Sequence, residues 1–353
     1  MKHITQRLKI QGEIMFRETL QKLIRKENLS EDDMSKIMTE IFSGNLTDAQ
    51  IGAFIAALAS KGETVEELVG AARVMRRNAH RIQVNAPIVV DIVGTGGDGA
   101  NTFNISTIAA FVVAGCGLTV AKHGNRSVSS QCGSADLLEA LGVNILCSPD
   151  LVEESVNQIG IGFLFAPLYH GAMRHAAKAR KEIQIRSIFN MLGPLTNPAA
   201  ANCQVLGVYA PELTEMFAAA LNLLGAKRAM VVHGHDGLDE ISVCAPTRIS
   251  ELQNGMVRTY DLLPDQYFGE MADSSALLGG APALNAEISR SILQAETGPR
   301  RNCVVINAAA ALITAGKAET FAEGIQLAAK AIDSGDALAK LNALIAFTGQ
   351  QNG

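Results

Sequence analysis

None of the six cysteines, at positions 116, 132, 147, 203, 244 and 303, forms a CxxC pair or stands at a cysteine–histidine zinc spacing. They read as free thiols, buried or half-buried. No apolar run approaches the ~18–20 residues that span a bilayer, so a membrane is excluded as partner. The opening MKHITQRLKIQGEIM lacks the apolar core of a signal peptide. Together these absences point to a reducing cytoplasm. Basic charge is also short: 30 Lys and Arg face 35 Asp and Glu, a net charge of −5, which argues against a nucleic-acid partner. Small anions can still be held by a few local cations. Repeats, low-complexity segments and long polar linkers are missing as well, so the chain does not read as independent modules.

Present instead are 353 residues, 48% of them hydrophobic, enough for a sizeable core in one large domain or two ordinary ones. Helical periodicity starts at Phe16, so residues 1–14 read as an extension and Met15 as an alternative natural start. Ser30 with Asp33, Thr47 with Gln50 and Thr64 with Glu67 have capping-box spacing, while Gly44 and Gly62 sit where helices should stop. Residues 15–86 therefore read as a small helical domain. Its face of Ile51, Phe54, Ile55 and Leu58 is a core face or, if surplus, a dimer contact.

From Pro87 the pattern changes. Short β-branched runs (88–93, 118–124, 142–147, 160–166, 203–209 and 228–234) alternate with helical stretches. The expectation is α/β: a larger domain over 87–167 and 196–353 with a mainly parallel central sheet flanked by helices. A helical insertion, 168–195, interrupts it and returns to the helical domain. A further strand is expected at 257–263, then helices near 285–297, 301–315 and 318–333.

Four polar clusters punctuate this framework. In DIVGTGGDGANTFNIST, Asp91 to Thr107, a strand feeds a glycine loop and a helix opened by Asn104 and Ser106. Unpaired N–H groups and the helix dipole both favour phosphate there, although tight turns need glycine too. The GTGGDG spacing has neither the GK[ST] ending of a nucleotide-triphosphate loop nor the second spacer of a dinucleotide loop. The second cluster, Lys122 to Ser130 followed by Cys132 to Asp136, offers cations, an amide and hydroxyls to a pyrophosphate, or else is a solvated basic turn. Both loops would meet at the carboxyl edge of the sheet. In the third, Asp239 and Glu240 are hard oxygen ligands suited to Mg²⁺ shared with substrate phosphates. His233 and His235 lack a third zinc ligand and read as structural. The fourth places His170, Met173 and Arg180 near one helix face, where an arginine fork can hold a planar aromatic carboxylate; a plain surface arginine fits the spacing equally well.

The motifs DIVGTGGDGANTFNIST, KHGNRSVSSQCGSADLLEALG, RSIFNMLGPLTNP and GLDEIS, in this order, resemble the anthranilate phosphoribosyltransferase family from about residue 16 to the C-terminus. The resemblance implies a helical domain joined to an α/β domain of the nucleoside-phosphorylase-like type, Mg²⁺ as cofactor, and usually a homodimer through helical-domain contacts. It also implies phosphoribosyl transfer from phosphoribosyl pyrophosphate to anthranilate in tryptophan biosynthesis, and leaves open a glutamine amidotransferase or anthranilate synthase as a further partner.

Carried over by position, Gly94, Gly97, Asp98, Thr102, Asn104, Ile105, Ser106, Thr107, Lys122, His123, Gly124, Asn125, Arg126, Ser127, Val128, Ser129, Ser130 and Ser134 match the donor contacts. Ser106, Asp239 and Glu240 match the metal ligands, with Asp239, Glu240 and Lys122 as the catalytic set. Gly94, Asn125, His170, Met173, Arg180 and Pro194 match the anthranilate contacts. The sequence departs from the family pattern at Cys132 (usually serine), Gln184 (usually glycine) and Gly171 (usually proline). The competing readings are a nucleoside phosphorylase of similar fold, opposed by the KHGNR loop and Arg180, and a non-catalytic nucleic-acid-binding paralogue, opposed by the acidic pair and the net charge.

Overall fold

The computed structural model describes residues 14–127 and 131–349. Most of the expected extension, and Val128, Ser129 and Ser130 of the expected donor loop, lie outside the described residues. The chain opens with α1 (14–24), α2 (Glu31–Phe42), α3 (Asp48–Lys61) and α4 (Val65–Asn78). Then come β1 (Val89–Gly94), α5 (Ile105–Gly115), β2 (Thr119–Gly124), α6 (Ser134–Leu141), α7 (Pro149–Ile159), β3 (Ile161–Phe165) and α8 (Ala166–Tyr169). After α9 (Arg174–Ile183) and α10 (Ile188–Leu192), the order is β4 (Cys203–Gly207), α11 (Leu213–Leu223), β5 (Arg228–Gly234), β6 (Thr247–Gln253) and β7 (Met256–Leu262). Helices α12 (Asp265–Phe268), α13 (Pro282–Leu293), α14 (Pro299–Thr314), α15 (Phe321–Asp333) and α16 (Asp336–Gly349) close it.

Two compact units result: the chain up to Ala79 with His170–Thr196, and His80–Tyr169 with Asn197 onward. Residues 80–86 fall in the second unit rather than the helical one. The N–H groups of Gln83 and Asn85 donate to the side chains of Glu153 (2.7 Å) and Asn157 (2.9 Å) on α7, which ties the segment there.

In the helical unit the capping signals do what their spacing demands. Thr47 with Gln50 and Thr64 with Glu67 form complete capping boxes, while Ser30 accepts from the Asp33 N–H alone. Helix α2 buries Met34, Ile37, Met38, Ile41 and Phe42, an i, i+3, i+4, i+7, i+8 stripe. Ile51, Phe54, Ile55 and Leu58 are fully buried within the single chain, so that face is core. The buried carboxylate of Glu67 accepts from the N–H groups of Leu29 (2.8 Å) and Thr64 (2.9 Å) and from Lys61 Nζ (2.9 Å), tying α4 to the α1–α2 and α3–α4 connections.

The second unit is built on a seven-stranded sheet of order β3-β2-β1-β4-β5-β6-β7. The first five strands are parallel and the last two antiparallel. One expectation is corrected here. Residues 142–147 form no strand, because Gly142 caps α6 in the left-handed conformation and Ser148 caps α7, leaving only a connection. Strand β6 and helix α16 were not anticipated; β6 joins β7 through Asn254 and Gly255, both at positive φ, a hairpin turn. Helices α5 and α14 are buried almost all round against each other and the sheet, which explains their nearly unbroken apolar sequences.

Candidate functional site

Four neighbouring parallel strands, β2, β1, β4 and β5, end in Gly124, Gly94, Gly207 and Gly234, and the polar motifs gather at that edge. Close approach explains all four of these glycines, two of them through Asp239. A methyl group on Gly207 would overlap the Asp239 carbonyl oxygen, and one on Gly94 would overlap the Asp239 carboxylate. The Asp239–Glu240 segment therefore lies directly over the ends of β1 and β4.

The glycine loop after β1 folds around these carboxylates. Gly96 and Gly97 take positive φ, and the Gly96 N–H donates to Asp239 Oδ2 at 2.7 Å. Asp98 accepts from the N–H groups of Ala100 (3.2 Å) and Asp239 (3.4 Å). Thr102 pairs with Leu278 in an isolated bridge, and the Phe103 N–H donates to the Leu277 carbonyl at 3.2 Å. At the start of α5 the Ser106 N–H donates to Glu240 Oε1 at 3.1 Å, while Ile105 and Thr107 are buried. The Thr107 hydroxyl is buried without a hydrogen-bond partner.

Lys122 supplies the cation. Its Nζ, buried on β2, donates to the Ile92 carbonyl at 2.5 Å and to Ser106 Oγ at 3.3 Å. Burial lowers the Lys122 pKa, opposed by the fields of Asp91, Glu240 and Asp239. Burial raises the Asp239 pKa well above the carboxylate range, helped by Asp98 and Glu240. It pushes Glu240 up to about 7 against the pull of Lys122. Crowded, desolvated carboxylates are costly unless a cation joins them. Among the described residues no group of three or more His, Cys, Asp or Glu is placed to hold a metal alone. Two carboxylates beside a serine hydroxyl instead fit Mg²⁺, which completes its shell with water and substrate phosphates.

The loop after β2 is held by interactions the motif alone did not disclose. Asp136 accepts from the N–H groups of Ser127 (3.0 Å) and Gly133 (2.9 Å) and pairs with Arg126 (2.8 Å). Arg126 also pairs with Glu139 and lies 5.7 Å over the Phe165 ring. The Asn125 carbonyl accepts from Ser134 Oγ and the Ala135 N–H, both at 3.2 Å. The amide of Asn104 is committed to protein: its Nδ2 donates to the Cys132 carbonyl, and its Oδ1 accepts from Asn285 Nδ2, each at 3.0 Å. On β1, Asp91 accepts from the His123 N–H (3.2 Å) and from Asn197 Nδ2 (2.8 Å). Sequence reasoning missed Asp91, Asp136, Asn197 and Asn285 as supports. A carboxylate inside a β-branched run and an acid three residues after Gly133 were the available signals for the first two.

The other anticipated residues, His170, Met173, Arg180 and Pro194, belong to the helical unit. They do not share one continuous helix face: Gly171–Met173 is a 3₁₀ turn and α9 begins only at Arg174. His170 is buried, and burial lowers its pKa to about 4, so its ring is neutral. Arg180 is half-buried, with its guanidinium 5.4 Å over Phe189; burial lowers its pKa, and among the described residues no carboxylate opposes it. Pro194 is buried in the 3₁₀ turn Gly193–Leu195. Gln184 caps α9 at φ 50°, ψ 33°, a left-handed position that glycine fills without strain. His233 donates from Nδ1 to the Val208 carbonyl (2.7 Å), and His235 pairs with Asp261.

Set against known proteins, the chain matches the glycosyl transferase family a/b domain over residues 86–338 and the helical bundle domain of the same family over residues 17–79. It is 66% identical to the anthranilate phosphoribosyltransferase of Syntrophobacter fumaroxidans, over 95% of this chain and 100% of that protein. It is 53% identical to that of Geobacter sulfurreducens, over 95% and 100%. Among solved structures, anthranilate phosphoribosyltransferase from Thermus thermophilus superposes with a TM-score of 0.89 at 42% identity, covering 94% of this chain and 99% of that one. The Saccharomyces cerevisiae enzyme in complex with PRPP and Mg superposes with a TM-score of 0.87 at 30% identity, covering 96% and 99%.

Proposed function

Because the chain belongs to the anthranilate phosphoribosyltransferase family, we propose that it transfers the 5-phosphoribosyl group of phosphoribosyl pyrophosphate to the amine of anthranilate, releasing pyrophosphate, in tryptophan biosynthesis. The observation that carries this reading is the convergence of Lys122 Nζ, the Ser106 N–H, the glycine loop and the buried Asp239–Glu240 pair at one sheet edge.

In the transfer, the amine nitrogen bonds to the anomeric carbon as the bond from that carbon to pyrophosphate breaks. Negative charge grows on the leaving group and positive charge on the ribose. Lys122 brings its charge toward the leaving oxygens from a buried, water-poor setting, where such stabilisation is strongest, while the Gly96 and Ser106 N–H groups hold the Asp239 and Glu240 carboxylates in place. Asp239, Glu240 and Ser106 would hold Mg²⁺, which would supply further charge neutralisation to the pyrophosphate. The donor is assigned to Gly94, Gly97, Asp98, Thr102 and the Asn104–Thr107 and Lys122–Ser130 segments, with Ser134. Arg180, a half-buried guanidinium that pairs with no carboxylate among the described residues, suits the anthranilate carboxylate. Neutral His170, with Met173 and Pro194, offers the ring a largely apolar lining. An aromatic amine is neutral at physiological pH and loses its proton readily after attack, so no dedicated strong base is needed.

No helix among the described residues is long and apolar enough to cross a membrane. The same family likeness supports reading the protein as a cytoplasmic homodimer paired through the helical unit. Anthranilate fluorescence tests the assignment: mixing the protein with anthranilate, phosphoribosyl pyrophosphate and Mg²⁺ should extinguish it. Persistent fluorescence together with phosphate-dependent cleavage of a nucleoside would identify a nucleoside phosphorylase instead.

A further inference from the structure

Asn307 lies in the middle of α14, wholly buried within the otherwise apolar run 303–313. Such a residue is costly unless every polar atom is satisfied, and the way it is satisfied is specific. Its Oδ1 accepts from the Ile241 N–H at 2.9 Å, and its Nδ2 donates to the Ile241 carbonyl at 2.8 Å and to the Cys303 carbonyl at 2.9 Å. Cys303 Sγ, one helical turn earlier, donates to the same Ile241 carbonyl at 3.4 Å. The primary amide thus grips both backbone groups of one residue, as a neighbouring strand would. That residue directly follows Glu240.

The other side of the acidic pair is fixed by different means. The Asp239 backbone and carboxylate are packed against Gly207 and Gly94, and Asp239 Oδ2 accepts from the Gly96 N–H. Beyond Ile241, Ser242 is held by Asp236 (2.6 Å) and by Thr247 (3.0 Å). These anchors bracket Asp239 and Glu240 on both sides and hold them adjacent, although burial and mutual repulsion disfavour their joint ionisation. Releasing the Ile241 clamp would let Glu240 swing toward solvent.

We propose that Asn307 is a positioning residue, whose grip on Ile241 aims Glu240 beside Asp239 so that the pair can hold a divalent cation with the donor's pyrophosphate. This rests on the assignment of Asp239 and Glu240 as cation ligands. Residues that orient metal ligands from behind typically change affinity by about 10–100-fold when removed.

The test is Mn²⁺ binding followed by electron paramagnetic resonance, with the full-length protein saturated in phosphoribosyl pyrophosphate. Asn307→Leu removes all three hydrogen bonds at similar volume, and Asn307→Ser, smaller and polar, serves if the leucine variant does not fold. Either variant should bind Mn²⁺ at least tenfold more weakly than the parent, raise the Mg²⁺ concentration needed for turnover, and leave the anthranilate KM unchanged. Leu344→Ala, in α16, which packs on α5, α7, α15 and β3, controls for general destabilisation. It should lower Tm without moving Mn²⁺ affinity. Parental Mn²⁺ affinity in the Asn307 variants, with only Tm lowered, overturns the proposal. Failure of the underlying assignment looks different: the parent itself would then show no donor-dependent Mn²⁺ site, or Glu240→Gln would retain it.

Discussion

Replacing Lys122 by methionine removes the cation from a buried site that holds Asp91, Asp239 and Glu240 within its field. Methionine fills most of the same volume, so the loss is chiefly electrostatic. The Ile92 carbonyl and Ser106 Oγ each lose a hydrogen bond from Nζ. Removing one partner of a buried charge set typically costs about 3–5 kcal/mol. The pH dependence follows from Asp91, which is wholly buried and already raised by burial to about 6 with Lys122 pulling it down. Its folded pKa exceeds its unfolded value of 3.8. The folded state therefore binds more protons in that window, and stability declines as pH rises through it. At 1.36 kcal/mol per unit, the ionisation of Asp91 costs about 3 kcal/mol at neutral pH even in the parent.

Without Lys122 the pKa of Asp91 rises further, and Glu240, itself near 7, moves the same way. Both carboxyls are then protonated or unpaired where the parent holds charges. The stability deficit of Lys122→Met should accordingly be small near about pH 5 and approach its full ~3–5 kcal/mol above about pH 7. Urea unfolding of parent and variant across this range, without divalent cations, measures it. A deficit that is constant with pH, or larger in acid, would refute the reasoning. At neutral pH the variant should also lose roughly 10²–10³-fold in kcat, the usual effect of deleting one donor to a developing anion.

Gly207→Ala forces a methyl group onto the Asp239 carbonyl, a backbone atom held from both sides, so a cost at the upper end of the ~1–3 kcal/mol overpacking range is expected. Gly52→Ala, inside α3 with open space around the new methyl, should instead stabilise by ~0.5–1 kcal/mol; thermal unfolding of the pair reads the contrast, and equal shifts would contradict it. Arg180→Ala should raise the anthranilate KM by about 10–100-fold, the worth of a charged hydrogen-bond pair, with the donor KM little changed. Steady-state kinetics in both substrates distinguishes this from an arginine that only packs on Phe189, whose removal would not single out anthranilate.

The parts of this molecule that the sequence disclosed are those coded over a few residues. The capping pairs Thr47–Gln50 and Thr64–Glu67, the α2 stripe and the β1–glycine–α5 connection all rest on periodicity and on groups three or four positions apart. The errors arose where such codes are ambiguous. Val143, Ile145 and Cys147 are apolar like a strand yet serve a connection, since the helices on either side leave no room for one. His170, Met173 and Arg180 have helical spacing, but the 3₁₀ turn breaks the register before α9.

By itself, then, the amino-acid order determined a helical segment followed by an α/β alternation, and which loops carry phosphate-seeking, acidic and arginine chemistry. Only the tertiary structure decided what holds that chemistry in place. The Gly96 N–H meets Asp239 across 143 positions, Asn285 meets Asn104 across 181, and Asn307 meets Ile241 across 66. An asparagine inside the apolar run of a buried helix announces that it needs partners, because an unsatisfied buried amide is too costly to keep. Which partners it takes depends on how distant segments pack, and that information is spread over the whole core rather than written beside the residue.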